Sequence, residues 1–346
     1  MARTPALPAT RARERRVTGD SSAERMVSPA SEPRFSVIVP TYNRHQSLDR
    51  CLAALSAQEI GRDRFEVIVV NDGGAVSPRD VVDRHRAYLD VRLLEQPNAG
   101  PATARNAGAA AARGDYLVFT DDDCLPEPRW LATLGASVDR HPGHAVGGSV
   151  DNALVGGIYS IASQQLIDFL YHYYNAPRAD GRFFITSNLA FPVARFRELG
   201  GFDVTFPLAA AEDRDLVDRW REQGGAIVYE DRAVVRHAHA LTLRSFCRQH
   251  LNYGRGAFHL HRARALRGVA PIQFEPVRFY SGLVGHPLGK GGGPRALAVS
   301  ALLLASQVVY VAGYVFERVH RGMRGARGVG LSVVGMSAGL GMQGLV

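Results

Sequence analysis

Three consecutive carboxylates, Asp121, Asp122 and Asp123, close the strand-like run 115–120. Acids this close repel unless something positive compensates them. A hard divalent cation does so with oxygen ligands, and Mg2+ or Mn2+ takes one or two protein carboxylates together with substrate phosphates. The spacing Asp121-x-Asp123 leaves room for a phosphate-bridged metal; a solvated acidic turn is the alternative. A second acidic pair, Glu212-Asp213, opens a helical stretch. A carboxylate there can accept a hydroxyl proton as general base, or it can answer the helix dipole alone. His237 and His239 follow the strand-like run 226–235, and alternate residues on an extended segment point the same way.

The elements that must position these groups repeat as strand and helix. Phe35 to Val39 is a short apolar run ending at Pro40 and the turn Thr41-Tyr42-Asn43, and after it Leu48, Cys51, Leu52 and Leu55 recur at helical spacing. Phe65 to Val70 ends at Asn71-Asp72-Gly73-Gly74, Val91 to Leu94 leads to Pro97-Asn98-Ala99-Gly100 and an alanine-rich helix, and the fourth strand runs into the three aspartates. Alternating units of this kind predict an α/β fold with a mostly parallel sheet and helices on both faces. Ligands then bind beyond the carboxyl ends of the strands, where the Asn43, Asp72 and Asp121–Asp123 turns fall. Residues 151–191 are rich in aromatics with weak periodicity, which suits a substrate-facing region. A helix returns at Glu212–Trp220, with acids at its start and Gly224 and Gly225 after its end.

With 346 residues, 46% of them hydrophobic, the chain can bury a sizeable core. Its net charge of +8 rests on arginine, Lys290 being the only lysine. The arginines are spread through helices and tails without a compact basic and aromatic motif, which argues against a nucleic-acid partner. Cys51, Cys124 and Cys247 form no CxxC pair, so neither a disulfide framework nor a zinc site is suggested. Residues 1–33 lack an apolar segment of signal-peptide type and read as a disordered tail. Ala296 to Phe316 carries no charged residue, long enough for a membrane span, with an in-plane segment as the alternative. The tail from Gly328 reads as poorly ordered.

Pro40-Thr41-Tyr42-Asn43-Arg44, Asn71-Asp72-Gly73-Gly74, Asn98 to Asn106, Asp121-Asp122-Asp123, Ser187-Asn188, Leu199 to Asp203 and Glu212-Asp213, in this order, resemble family 2 glycosyltransferases, which have the GT-A fold. The resemblance covers roughly residues 34–260. It implies inverting transfer of a sugar from a nucleotide-sugar donor, a UDP-sugar, to an acceptor hydroxyl, with Mn2+ or Mg2+ as cofactor. Pro40, Thr41 and Asn43 then line the nucleotide pocket, Asp72 bonds the base, Arg105 lies near the diphosphate, and Asp121 and Asp122 face the donor. Asp121 and Asp123 are the metal-side acids, with His237 or His239 as a further ligand; Asp213 is the base and Glu212 contacts the acceptor.

The segment 241–256 is similar to the post-catalytic helix of bacterial members that act near membranes, where Arg248 and Arg255 could grip a diphosphate or a lipid headgroup. The implied layout is a GT-A domain at 34–245, a helical basic extension at 246–294 and an apolar membrane-associated segment at 295–346. The implied place is the cytoplasmic face of a bacterial membrane, with a glycan or lipid-linked acceptor in cell-envelope polysaccharide or glycolipid synthesis. A sugar-phosphate nucleotidyltransferase is the rival enzyme, but the first turn is not its glycine-rich phosphate loop. No GxGxxG opens the first helix as in a Rossmann dehydrogenase. A membrane-associated scaffold with a relic fold would be expected to have lost the acids, which are present.

Overall fold

The apolar runs form strands buried on both faces. In a computed structural model of the chain, β1 (Phe35–Thr41), β2 (Phe65–Asp72), β3 (Val91–Gln96) and β4 (Tyr116–Phe119) pair in parallel, in the order β3-β2-β1-β4. Successive side chains alternate between two cores. Val37, Val39, Val67 and Val69 meet α1 (His45–Ser56) and α2 (Arg79–His85) on one face. Ile38, Ile68 and Val70 meet the alanines of α3 (Pro101–Ala110) on the other, as a period of two requires. The expected helices on both faces are present.

The structure describes residues 32–153, 156–176, 181–238, 240–269 and 275–337. Residues 1–31 of the expected disordered tail, His239 and residues 338–346 lie outside them. The described chain from Glu32 onward clusters as one unit.

The second half completes an eight-stranded sheet. β5 (Cys124–Pro126), α4 (Trp130–Arg140), β6 (Ala145–Asn152), α5 (Ile158–Tyr174), a 3-10 turn at Thr186–Asn188, β7 (Leu189–Pro192), α6 (Val193–Glu198), α7 (Glu212–Glu222) and β8 (Ile227–His237) follow in sequence. The full order is β3-β2-β1-β4-β7-β6-β8-β5. β7 runs antiparallel to both β4 and β6, and β5 to β8, so the parallel character belongs to the first four strands and to the β6–β8 pair.

Residues 151–191 depart from the weakly periodic region expected. α5 is a 17-residue helix packed on more than one side, Phe169 against Phe279 at 5.1 Å between ring centres and Tyr171 edge-on to Phe183 and Phe184. Its one polar row, Gln164, Asp168 and His172, is narrow and the other sides pack against aromatic and apolar groups, so the 3.6-residue signal is weak.

Three helices follow: α8 (Leu243–Leu266), α9 (Val277–Lys290) and α10 (Pro294–Ser337), the last running past Gly328, where the sequence suggests loss of order. A capping box starts α8, Thr242 Oγ1 accepting from the Ser245 amide at 3.2 Å and Ser245 Oγ from the Thr242 amide at 2.8 Å. α8 and α10 approach at two glycines: a Cβ on Gly254 would collide with the Tyr310 carbonyl, and one on Gly313 with the Leu251 carbonyl. Both obstacles are backbone and cannot rotate away. Gly254→Ala is therefore expected to part the helices and cost about 1–3 kcal/mol, read as a lowered denaturation midpoint; an unchanged midpoint would show that the contact is not needed.

Candidate active site

The carboxyl edge of the parallel strands gathers most of the predicted residues. Thr41 pairs in register with Asn71, and Asp72 with Gln96, while Thr120 donates its amide to the Ile38 carbonyl at 3.2 Å. The turns after β1, β2 and β4 thus open on one rim. Asn43 sits in the left-handed region, φ 55°, and its Oδ1 accepts from the Ala75 amide at 2.7 Å, joining the first two turns.

Asp72 is buried and densely bonded. Its carboxylate accepts from Gln96 Nε2 at 2.8 Å, the Ala99 and Gly100 amides at 2.9 Å each, and Asn98 Nδ2 at 3.3 Å. It thereby shapes the loop that starts α3. This loop role accounts for its burial without a ligand, the four bonds falling two on each oxygen.

The three aspartates have different surroundings. Asp121 accepts from Arg105 Nη2 at 2.9 Å. Asp122 is buried and accepts from Thr41 Oγ1 at 2.7 Å and Arg44 Nη1 at 3.1 Å. Burial pushes its carboxyl up to about 6, Thr41 and Arg44 pulling the other way and the neighbouring acids adding to the rise. Asp123 accepts from Arg44 Nη1 at 2.7 Å and lies 3.0 Å from His237 Nε2. Burial disfavours the His237 imidazolium, yet the hydrogen bond and charge of Asp123, with the charge of Asp121, raise its pKa.

The donor set suits a hard cation. Ligand atoms of Asp123, Cys124 and His237 lie within 4.8 Å of one another, and Asp121 stands on the same turn. Carboxylate oxygens and imidazole match Mn2+ or Mg2+ better than the thiol does, since burial and the nearby acids raise the Cys124 pKa well above its ordinary value. The acids are compensated here by two arginines, Arg44 and Arg105. His237 therefore stands beside the acids; His239 falls outside the described residues.

On the far side of Arg105 lies the second acidic pair. The Arg105 guanidinium, 5% exposed, donates through Nη1 to Glu212 Oε1 at 3.0 Å and through Nη2 to Asp121, and it stacks over Phe202 at 5.7 Å. Glu212 Oε2 and Arg105 Nε are buried without a hydrogen-bond partner. Such atoms await a ligand or water. Burial first, then the charge of Asp213, raises Glu212 to about 7, against the pull of Arg105. Asp213 is also raised, mainly by burial, although its surface remains partly open; its Oδ1 accepts from the Arg214 amide at 2.8 Å.

Packing fixes the turn that carries this pair. Asn106 exchanges two hydrogen bonds with the Phe202 backbone, at 2.8 and 2.9 Å, and Arg219 binds the Leu199 and Gly201 carbonyls at 2.8 and 2.6 Å. Ala211 takes a left-handed φ of 73°, uncommon for a residue with a Cβ, just before Glu212. A Cβ on Gly256 of α8 would strike Ala210, so that glycine lets α8 press on the turn. Tyr253, whose hydroxyl accepts from Gln249 Nε2 at 2.6 Å, is raised to about 12, chiefly by burial, and also feels the charges of Asp213, Glu212 and Asp121.

The family model for "Glycosyl transferase family 2" matches residues 36–199, which hold β1 to β7 and the acidic run. The chain carries a family 2 glycosyltransferase domain. Validoxylamine A glucosyltransferase of Streptomyces hygroscopicus subsp. limoneus is 30% identical over 220 residues, 56% of this chain and 49% of the relative. Pre-mycofactocin glycosyltransferase of Mycobacterium tuberculosis is 30% identical over 237 residues, 66% of this chain and 48% of the relative. The chain thus spans about half the length of these curated relatives. Among solved structures, the mannosyltransferase PcManGT from Pyrobaculum calidifontis in complex with GDP-Man and Mn2+ superposes with a TM-score of 0.54 at 20% identity, covering 84% of this chain and 80% of that one. TarS 1-349 of S. aureus gives 0.50 at 18% identity, covering 84% and 91%. At such identities the likeness establishes the fold, which is of the GT-A type.

Sequence reasoning quoted Arg44 and Tyr253 within motifs without giving them a role, and it weighed Cys124 only as a cysteine without a CxxC partner. The signal for Arg44 was its place: a cation closing the turn after β1, on the rim that receives the acids.

Proposed function

We propose that the chain is an inverting glycosyltransferase that moves a sugar from a nucleotide-sugar donor, a UDP-sugar, to an acceptor hydroxyl of a glycan or lipid-linked intermediate in cell-envelope synthesis at the cytoplasmic membrane face. The observation that carries this reading is the bridge Asp121–Arg105–Glu212, which ties the donor-side acids to the acceptor-side acids through one buried guanidinium.

In this reading the nucleotide lies along the rim formed by Pro40, Thr41, Asn43 and Asp72. Asp121, Asp123 and His237 would hold a divalent cation, which supplies Lewis-acid stabilisation to the departing diphosphate. Asp122 keeps the turn in place through Thr41 and Arg44. The acceptor hydroxyl gives its proton to the Asp213 carboxylate as its oxygen attacks the anomeric carbon, and the bond to the diphosphate breaks on the opposite face. Raising Asp213 and Glu212 above the ordinary carboxylate range makes the pair a better proton acceptor near neutrality.

A donor that binds only the folded chain raises its melting temperature by mass action. A UDP-sugar with Mn2+ is expected to stabilise the protein, and a chelator to remove most of that gain. Stabilisation by no nucleotide sugar would overturn the proposal, and stabilisation indifferent to chelation would overturn its metal part.

A further inference from the structure

The C-terminal helix is apolar on two faces. Its inner row, with Val299, Leu303, Ser306, Gly313 and Glu317 buried, closes on α8 and α9, and Ser300 Oγ donates to the Val284 carbonyl at 2.7 Å. Its outer row, Leu297, Leu304, Val308, Val311, Val315 and Val319, is 49% to 66% exposed. The spacing 7-4-3-4-4 keeps that row on one side, over about 33 Å at 1.5 Å per residue. Between Ala296 and Phe316 neither face carries a charge. A surface helix in water presents polar residues on its outer side, so an all-round apolar helix requires cover.

The row ends at a cationic cleft of ≈ 790 Å³ between α8 and α10, lined by Arg255, Arg262, His320 and Arg321 among others. Its one carboxylate, Glu317, is already engaged by Arg255 Nε at 2.8 Å, Arg321 Nε at 3.1 Å and His259 Nε2 at 3.1 Å. The Arg262 guanidinium and the Nη groups of Arg255 and Arg321 have no carboxylate partner among the described residues. Apolar row and cleft are continuous: Phe316, 53% exposed, stacks on His320 at 5.8 Å and lies under Arg255 at 5.6 Å.

We propose that α10 lies flat in an anionic lipid leaflet, its outer row among the acyl chains and a lipid phosphate in the cleft between α8 and α10. Length and composition would permit a span over Pro294–Arg321. The packing does not suit one, because α8, which closes the inner row, carries Arg244, Arg248, Arg255, Arg262 and Arg264, and arginines are costly at the bilayer centre. A second copy fits less well than lipid. The exposed charges flanking the row, Arg295 and Arg318, are both basic, and a two-fold pairing of the rows would set them against one another.

The cleft also includes Pro207, on the segment leading to Glu212, so docking there would hold the acceptor-side turn near the headgroups. The inference deepens the membrane part of the proposed function and rests on it.

The test is co-sedimentation of the full chain with vesicles of phosphatidylcholine alone or mixed with phosphatidylglycerol. Binding is expected to the mixed vesicles, falling by about tenfold or more in Val308→Asp/Val311→Asp. Arg262→Glu is expected to lower binding to the mixed vesicles about tenfold and to leave phosphatidylcholine untouched. Inorganic phosphate at matched concentration should compete weakly; full competition would make the cleft a free-anion site and overturn the lipid assignment. The docking face would also be overturned by equal binding to both vesicle types, by retention in native membranes after an alkaline carbonate wash, or by a vesicle-free dimer that the double variant dissociates. Donor-induced stabilisation should persist in Val308→Asp/Val311→Asp. Its loss in the wild type with vesicle binding intact would refute the glycosyltransferase reading and leave the docking face standing.

Discussion

Asp213→Asn is expected to lower kcat by about 10²–10⁴-fold while leaving donor affinity unchanged, because the amide keeps the shape of the carboxylate but cannot take a proton. Its oxygen can still accept from the Arg214 amide, as Oδ1 does at 2.8 Å, so the turn should survive. The donor acids stand across Arg105 from this group, so donor-induced stabilisation measured alongside turnover separates chemistry from binding. Normal turnover in the variant would remove Asp213 as the base.

The pH profile offers a second reading of the same pair. Both carboxyls are raised, mainly by burial, Glu212 to about 7. A protonated carboxyl cannot accept the hydroxyl proton, so kcat/KM is expected to fall as pH drops through this raised range rather than near the ordinary carboxylate range. The limb belongs to the pair, since two acids this close titrate together. An acid limb near pH 4 would contradict the raised values.

Parts of this site are legible in the sequence for a physical reason. A parallel strand covered on both faces is apolar at nearly every position, so β1, β2 and β4 stand out as runs, and the polar residues that end them mark the rim. The second half hides for the opposite reason. β6 includes Gly147 and Gly148, where a side chain would strike Phe184 and Asn188, so the strand lacks an apolar pattern. Asn188 reads as a motif residue, yet it is wholly buried and braces the sheet, bonding the Ser149 and Ala233 carbonyls at 2.7 and 2.8 Å and receiving Trp130 Nε1 at 2.9 Å. Spacing cannot separate His237 from His239, because alternate residues of a strand share a side; the neighbour at Asp123 is a matter of pairing between β5 and β8. Least legible is the bond from Arg105 to Glu212, which joins residues 107 apart in sequence.

That bond sets the last expectation. Arg105→Met would leave Glu212 buried without its partner and release Asp121, at a cost of about 3–5 kcal/mol, or roughly 4–7 °C in melting temperature for a chain of this size. Donor-induced stabilisation should fall with it, because Asp121 loses the guanidinium that orients it. Glu212, deprived of the charge that holds it down, should titrate higher still and carry the acid limb of any residual activity upward in pH. Arg105→Lys keeps the charge but not the fork, and a single ammonium cannot reach both carboxylates as the two Nη groups do at 2.9 and 3.0 Å. It is expected to recover part of the stability and little of the donor response. Adding Glu212→Gln to Arg105→Met removes the stranded carboxyl and should restore much of the lost stability, giving a large coupling energy in the double-mutant cycle. If the two changes add independently, or if Arg105→Met melts and binds donor like the wild type, the bridge does not couple the two sides of the site.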